Sequence, residues 1–283
     1  MNNPLTESQK LQEAKDSLAN LLKAGAPTIG IALGSGLGKF VEQVKGLVSV
    51  PYAEIPHFPQ SKGGVQGHDN RLVVGGIGKT RVVILQGRVH PYQGISLKEA
   101  IFPTRLMIKM GANTLILTHV VGGISQNLAP GEFVAVRDHI ASHDENPLVG
   151  PNEDDLGLRF PDMSQAYDPG LIALAMQCAL QERVILHRGV SVFHKGPCYE
   201  TPAEIQQMRR WDADVATMST VYEVIAARHM GKKVLDIALV VNMGAGVLQT
   251  KLKHEEVIDA ADRQSGQFAR LMTAIVKEIA AKK

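Results

Sequence analysis

Apolar positions along this chain follow two rhythms. Leu11, Ala14, Leu18, Leu21 and Leu22 recur at helical spacing behind the capping pair Thr6 and Gln9, until Gly25 and Pro27 stop the run. A short apolar run over 28–33 then enters Gly34, Gly36 and Gly38, the pattern of a strand leading into a loop. Further strands are predicted at 72–74, 80–85, 113–118, 132–136, 189–193 and 234–241; most are continuously apolar, as strands covered on both faces are. Helical spacing occupies 97–110, 169–181, 202–211, 221–230 and a long final stretch from Glu255. Strand and helix alternate, which argues for an α/β fold with its site at the strand ends. Residues 142–168, rich in Pro, Asp, Asn and Gly, form the longest irregular segment.

Composition narrows the partners. Thirty basic against 28 acidic residues leave a formal charge of +2, with no block of like charges to draw nucleic acid or an anionic membrane. Cys178 and Cys198 cannot build a disulfide scaffold, which fits a reducing compartment. The polar N-terminus and the lack of any apolar stretch of about 18 residues argue against a signal peptide or a membrane span, so the cytoplasm is the expected location. No composition shift marks a linker, and the whole of 1–283 is taken as one domain.

Five segments carry chemistry. Gly34-Ser35-Gly36-Leu37-Gly38 follows a strand, where glycines let backbone amides approach an anion and Ser35 adds a hydroxyl; the alternative is a tight turn without a ligand. The spacing fits neither a P-loop nor a dinucleotide fingerprint, since Lys39 is followed by Phe40 and stands where the third glycine would be. Arg88 and His90, in Gln86-Gly87-Arg88-Val89-His90-Pro91-Tyr92, share one side if the strand period of two continues, and together they offer an anion site. His68 lies between turn residues, where a structural role competes with a functional one.

Tyr199 and Glu200 precede Thr201-Pro202, so they either meet a flat heterocycle or belong to helix capping. Met218-Ser219-Thr220 offers a hydroxyl and free amides, or a cap. Asn242 ends the most apolar strand with a side chain that both donates and accepts. His139 and His143 have zinc spacing but sit in a run without helical periodicity, so no metal is expected. No residue stands out as a covalent nucleophile.

These segments, in this order, together with Arg137-Asp138-His139-Ile140, Arg159-Phe160-Pro161-Asp162-Met163-Ser164 and His254-Glu255-Glu256-Val257, resemble the trimeric purine nucleoside phosphorylases, the branch that includes the methylthioadenosine phosphorylases. The resemblance implies a single domain with a central mixed, partly barrel-like sheet flanked by helices, no cofactor or metal, and a homotrimer. It implies phosphate held by Ser35, His68, Arg88, His90, Ser219 and the Val120 amide. Ribose would meet Tyr92, Met218 and His254, while the base stacks on Tyr199 and is read by Glu200 and Asn242. Phe160 would enter a neighbouring subunit's sugar site. Catalysis would fall to Asn242, Glu200 and His90, in a reversible phosphorolysis giving free purine and ribose 1-phosphate.

A carboxylate at Glu200 accepts the N1–H of a 6-oxopurine and repels the bare N1 of adenine, which weakens the methylthioadenosine alternative. His194 stands on the strand edge that approaches the base in the family, where contact with the 2-position competes with an ordinary strand histidine. Two departures from the family pattern stand out: His119-Val120-Val121 replaces a smaller Asn-Ala-Ala wall, and Gln93 replaces a glutamate beside His90. A non-catalytic purine or phosphate binder on the same fold is the other alternative these departures raise.

Overall fold

The computed structural model describes residues 4–60, 69–142, 145–247 and 254–282. Helix α1 (Glu7–Ser17) starts at the Thr6–Gln9 capping box, with Thr6 Oγ1 accepting the Gln9 N–H and Gln9 Oε1 accepting the Thr6 N–H. Strand β1 (Ile29–Leu33) is buried at all five positions, as its unbroken apolar run requires. It lies between two parallel neighbours, β4 (Thr80–Gln86) and β5 (Thr114–Gly123). Strand β3 (Arg71–Ile77) joins β4 antiparallel, and β2 (Lys45–Pro51) forms the edge. The hydrophobic pattern misses β2, because an exposed edge strand has no buried face to impose an alternation; its partner β3 fixes it instead.

The second half closes on itself. Strands β6 (Phe133–Ala141), β7 (Leu186–Phe193), β8 (Val215–Thr217) and β9 (Lys233–Met243) follow β5, in the order β5-β8-β7-β6-β9. Because β9 also pairs parallel with β5, these five strands form a small barrel, and β2-β3-β4-β1 extends from it as an open sheet. The mixed, partly barrel-like sheet is therefore observed.

The helices cover both parts. The predicted helix over 97–110 is two, α2 (Leu97–Ala100) and α3 (Phe102–Lys109), since Pro103 lacks an amide donor and its ring cannot follow an unbroken helix. Helices α4 (Pro169–Glu182), α5 (Pro202–Arg210), α6 (Val221–His229) and α7 (His254–Ala281) match the expected segments. Phe268 of α7 packs against Phe40 at 5.8 Å and Phe133 at 6.3 Å, joining the open sheet to the barrel in one core. Each such buried ring contributes roughly 1.5–3 kcal/mol of burial free energy. Among the described residues no helix is long and apolar enough to cross a membrane.

Candidate active site

The carboxyl ends of β1, β4, β5, β8 and β9 surround a cavity of about 510 Å³. Gly34 makes the closure possible. A Cβ there would stand 2.7 Å from His119 Cα and 2.9 Å from the Thr118 carbonyl oxygen, so only glycine lets the β1 loop lie against β5. The contact is fixed by the Gly34 N–H donating to Thr118 Oγ1 at 3.3 Å, and Ser35 then faces the cavity.

Strand β4 stops at Gln86, so the strand period does not carry Arg88 and His90 to one side as expected. A turn at Gly87, φ +113°, does so instead, and both residues reach the cavity. Arg88 is buried, its Nε donating to both carboxylate oxygens of Glu223 at 3.1 and 3.0 Å and its Nη1 to the Thr118 carbonyl at 3.1 Å. Burial opposes the guanidinium charge, but the Glu223 carboxylate outweighs it and holds the Arg88 pKa above its ordinary value. Glu223 was not nominated from the sequence; its one signal was an acid within the otherwise apolar stretch Val221–Ala227. His90 stacks on Tyr92 at 4.7 Å, and its backbone N–H donates to Gln93 Oε1 at 2.8 Å. Burial pushes the Tyr92 hydroxyl up to about 12, so it stays a neutral donor.

After β8 the chain makes a three-residue turn. The Val221 N–H donates to the Ser219 carbonyl at 2.8 Å around Thr220, whose φ of +64° and ψ of −44° define a strained γ-turn. This turn opens α6 and sets Ser219 on the cavity wall. Val120 and Gly122 line the same wall from β5, where the β5–β9 register slips between Val121 and Gly122 so that Gly122 pairs with Asn242.

A second group of lining residues comes from the segment that leads into α5. The α5 cap is Thr201 with Glu204: the Glu204 N–H donates to Thr201 Oγ1 at 3.3 Å and the Thr201 N–H to Glu204 Oε2 at 2.7 Å. Glu200 is therefore not needed for capping, and it lines the cavity with Tyr199, Met218 and Asn242. Burial raises the Glu200 pKa, offset in part by a backbone hydrogen bond and by His194. Asn242 Nδ2 donates to the Met243 carbonyl at 3.2 Å.

Ser35, Arg88, His90, Tyr92, Val120, Tyr199, Glu200, Met218, Ser219 and Asn242 thus share one cavity. His194 is not among the residues that line it; its Nδ1 accepts the Gly196 N–H at 3.3 Å, within the turn before Pro197. Phe160 is 85% exposed and away from this subunit's cavity. His139 Nδ1 bonds the Tyr167 hydroxyl at 3.0 Å. His68, His143 and the side chain of His254 lie outside the described residues.

Residues 28–277 match the family model described as Phosphorylase superfamily, PNP_UDP_1. A purine nucleoside phosphorylase 1 of Geobacillus stearothermophilus is 43% identical over 270 residues, covering 94% of this chain and 98% of the relative. Two crystal structures of Schistosoma mansoni purine nucleoside phosphorylase, one in complex with adenosine and one with inosine, superpose with TM-scores of 0.90 and 0.88 at 36% identity. Both cover 96% of this chain, and 98% and 97% of theirs.

Proposed function

This chain belongs to the phosphorylase superfamily, and from that premise and its cavity we propose that it is a purine nucleoside phosphorylase acting on 6-oxopurine ribonucleosides. The observation that carries the reading is that one cavity gathers Ser35, Arg88, His90 and Ser219, a set suited to an oxyanion, with Tyr199, Glu200 and Asn242, a set suited to a flat heterocycle. Phosphate attacks C1′ as the C1′–N9 bond breaks, and the products are the free base and ribose 1-phosphate. The anion stabilises the developing sugar cation, while Glu200 and Asn242 stabilise the charge that collects on the leaving purine. One preorganised donor of this kind is worth roughly 3–4 kcal/mol. Protein groups and inorganic phosphate supply all the chemistry in this reading.

The Val120 amide, His68 and His254 are proposed to complete the phosphate and ribose contacts. Phe160, exposed on the 142–168 segment, is proposed to enter a neighbour's ribose site in a homotrimer. A panel of inosine, guanosine, xanthosine, adenosine and methylthioadenosine, each with and without phosphate, tests the reading. Phosphate-dependent release of base from the 6-oxopurine nucleosides is expected, and its absence refutes the proposal. Sedimentation of the full chain, with mixed assemblies of Phe160→Ala and Arg88→Ala subunits regaining activity, tests the shared site.

A further inference from the structure

A line of buried polar groups runs from the barrel interior to the cavity wall. Asp236, on β9, is fully buried, and neither carboxylate oxygen accepts a hydrogen bond among the described residues. Its close partner is His119 Nε2 on β5, 3.1 Å from Oδ1. An isolated buried carboxylate is costly, and breaking such a pair is far worse than keeping it. A carboxylate can only accept, so the imidazole nitrogen that faces it carries the hydrogen.

That choice fixes the other side of the ring. His119 Nδ1 lies 2.7 Å from Thr217 Oγ1, and the same hydroxyl accepts the Ser219 N–H at 3.2 Å and stands 3.5 Å from Ser219 Oγ. Thr217 is therefore committed on every side, and it holds the strained turn that presents Ser219. His119 and Thr217 both reach the cavity wall themselves.

Resting on the phosphorolysis reading, we propose that His119, fixed by Asp236, is a positioning residue of the phosphate site, acting through Thr217 to aim Ser219 at the anion. A network that merely fastened the barrel would affect both substrates alike, whereas a positioning role weakens the anion alone. His119→Ala leaves Asp236 alone in the core and endangers the fold, so Thr217→Val, which removes the hydroxyl and keeps the side-chain outline, carries the test beside Thr217→Ser. Inorganic phosphate binding to the free full-length protein is measured by calorimetry, and KM for phosphate and inosine by steady-state kinetics. Thr217→Val is expected to weaken phosphate by about tenfold in both measurements with the inosine KM unchanged, and Thr217→Ser to restore it. In the His119→Asn/Thr217→Val double variant, phosphate binds no more weakly than in Thr217→Val, because both act on one line. Unchanged phosphate affinity in Thr217→Val, an equal rise in the inosine KM, or additive losses in the double variant each overturn the proposal. If the parent chain releases no base from inosine, the phosphorolysis reading falls while calorimetric phosphate binding still decides the role of His119.

Discussion

Glu223 grips Arg88 side-on: both carboxylate oxygens take the Arg88 Nε–H, at 3.1 and 3.0 Å, inside a core where neither side chain is more than 3% exposed. Removing the acid leaves a buried guanidinium uncompensated, which typically costs about 3–5 kcal/mol. Glu223→Ala is expected to lower the unfolding free energy by about that amount and to raise the phosphate KM. Urea unfolding with kinetics at varied phosphate checks both, and an unchanged phosphate KM in a folded variant refutes the link between the pair and the anion.

In the proposed reaction Glu200 accepts the purine N1–H as a carboxylate, and burial raises its pKa. Acidification therefore removes the charged form earlier than for an exposed carboxylate, so kcat/KM for inosine falls on the acid side at a pH above the ordinary glutamate range. Glu200→Gln is expected to lose that acid limb and to reduce kcat/KM by about 10- to 100-fold, the worth of one charge-assisted hydrogen bond. A pH–rate profile that keeps the same limb in the variant assigns it to another group.

The atoms nearest a Cβ at Gly34, His119 Cα at 2.7 Å and the Thr118 carbonyl at 2.9 Å, are backbone and cannot swing aside. Gly34→Ala is expected to cost about 1–3 kcal/mol of stability through overpacking and to weaken phosphate binding, because Ser35 moves with the loop. Equal stability by urea unfolding counts against it.

Thr220 carries the opposite expectation. Its left-handed backbone conformation costs on the order of 1–3 kcal/mol, which glycine relieves. Thr220→Gly should therefore keep a near-parental melting temperature despite the lost side chain, while the freed turn binds phosphate less tightly. A large drop in melting temperature refutes the strain argument.

Gln93 Oε1 accepts the His90 N–H at 2.8 Å, a bond that a glutamate also makes. Gln93→Glu adds a negative charge beside His90, favouring its protonated form. Tighter phosphate binding than in the parent chain is expected from the phosphate KM; equal or weaker binding overturns the argument.

The sequence by itself determined the order of most elements, because continuous apolar runs and 3.6-residue spacing record burial directly, as in β1, β9 and α4. It also supplied the chemical types of the site residues, since the Gly34 cluster and Arg88 follow strands, Asn242 closes one, and Glu200 stands just before a helix cap. Tertiary structure alone decided three things. It closed β5 to β9 into a barrel, a pairing between strands far apart in the chain that no local pattern encodes. It brought Arg88 and His90 to the cavity through the Gly87 turn, although the strand period behind the expectation ended at Gln86. It also revealed Glu223 and Asp236 as buried partners of Arg88 and His119, because the meaning of an acid in an apolar run depends on which cation the fold places against it.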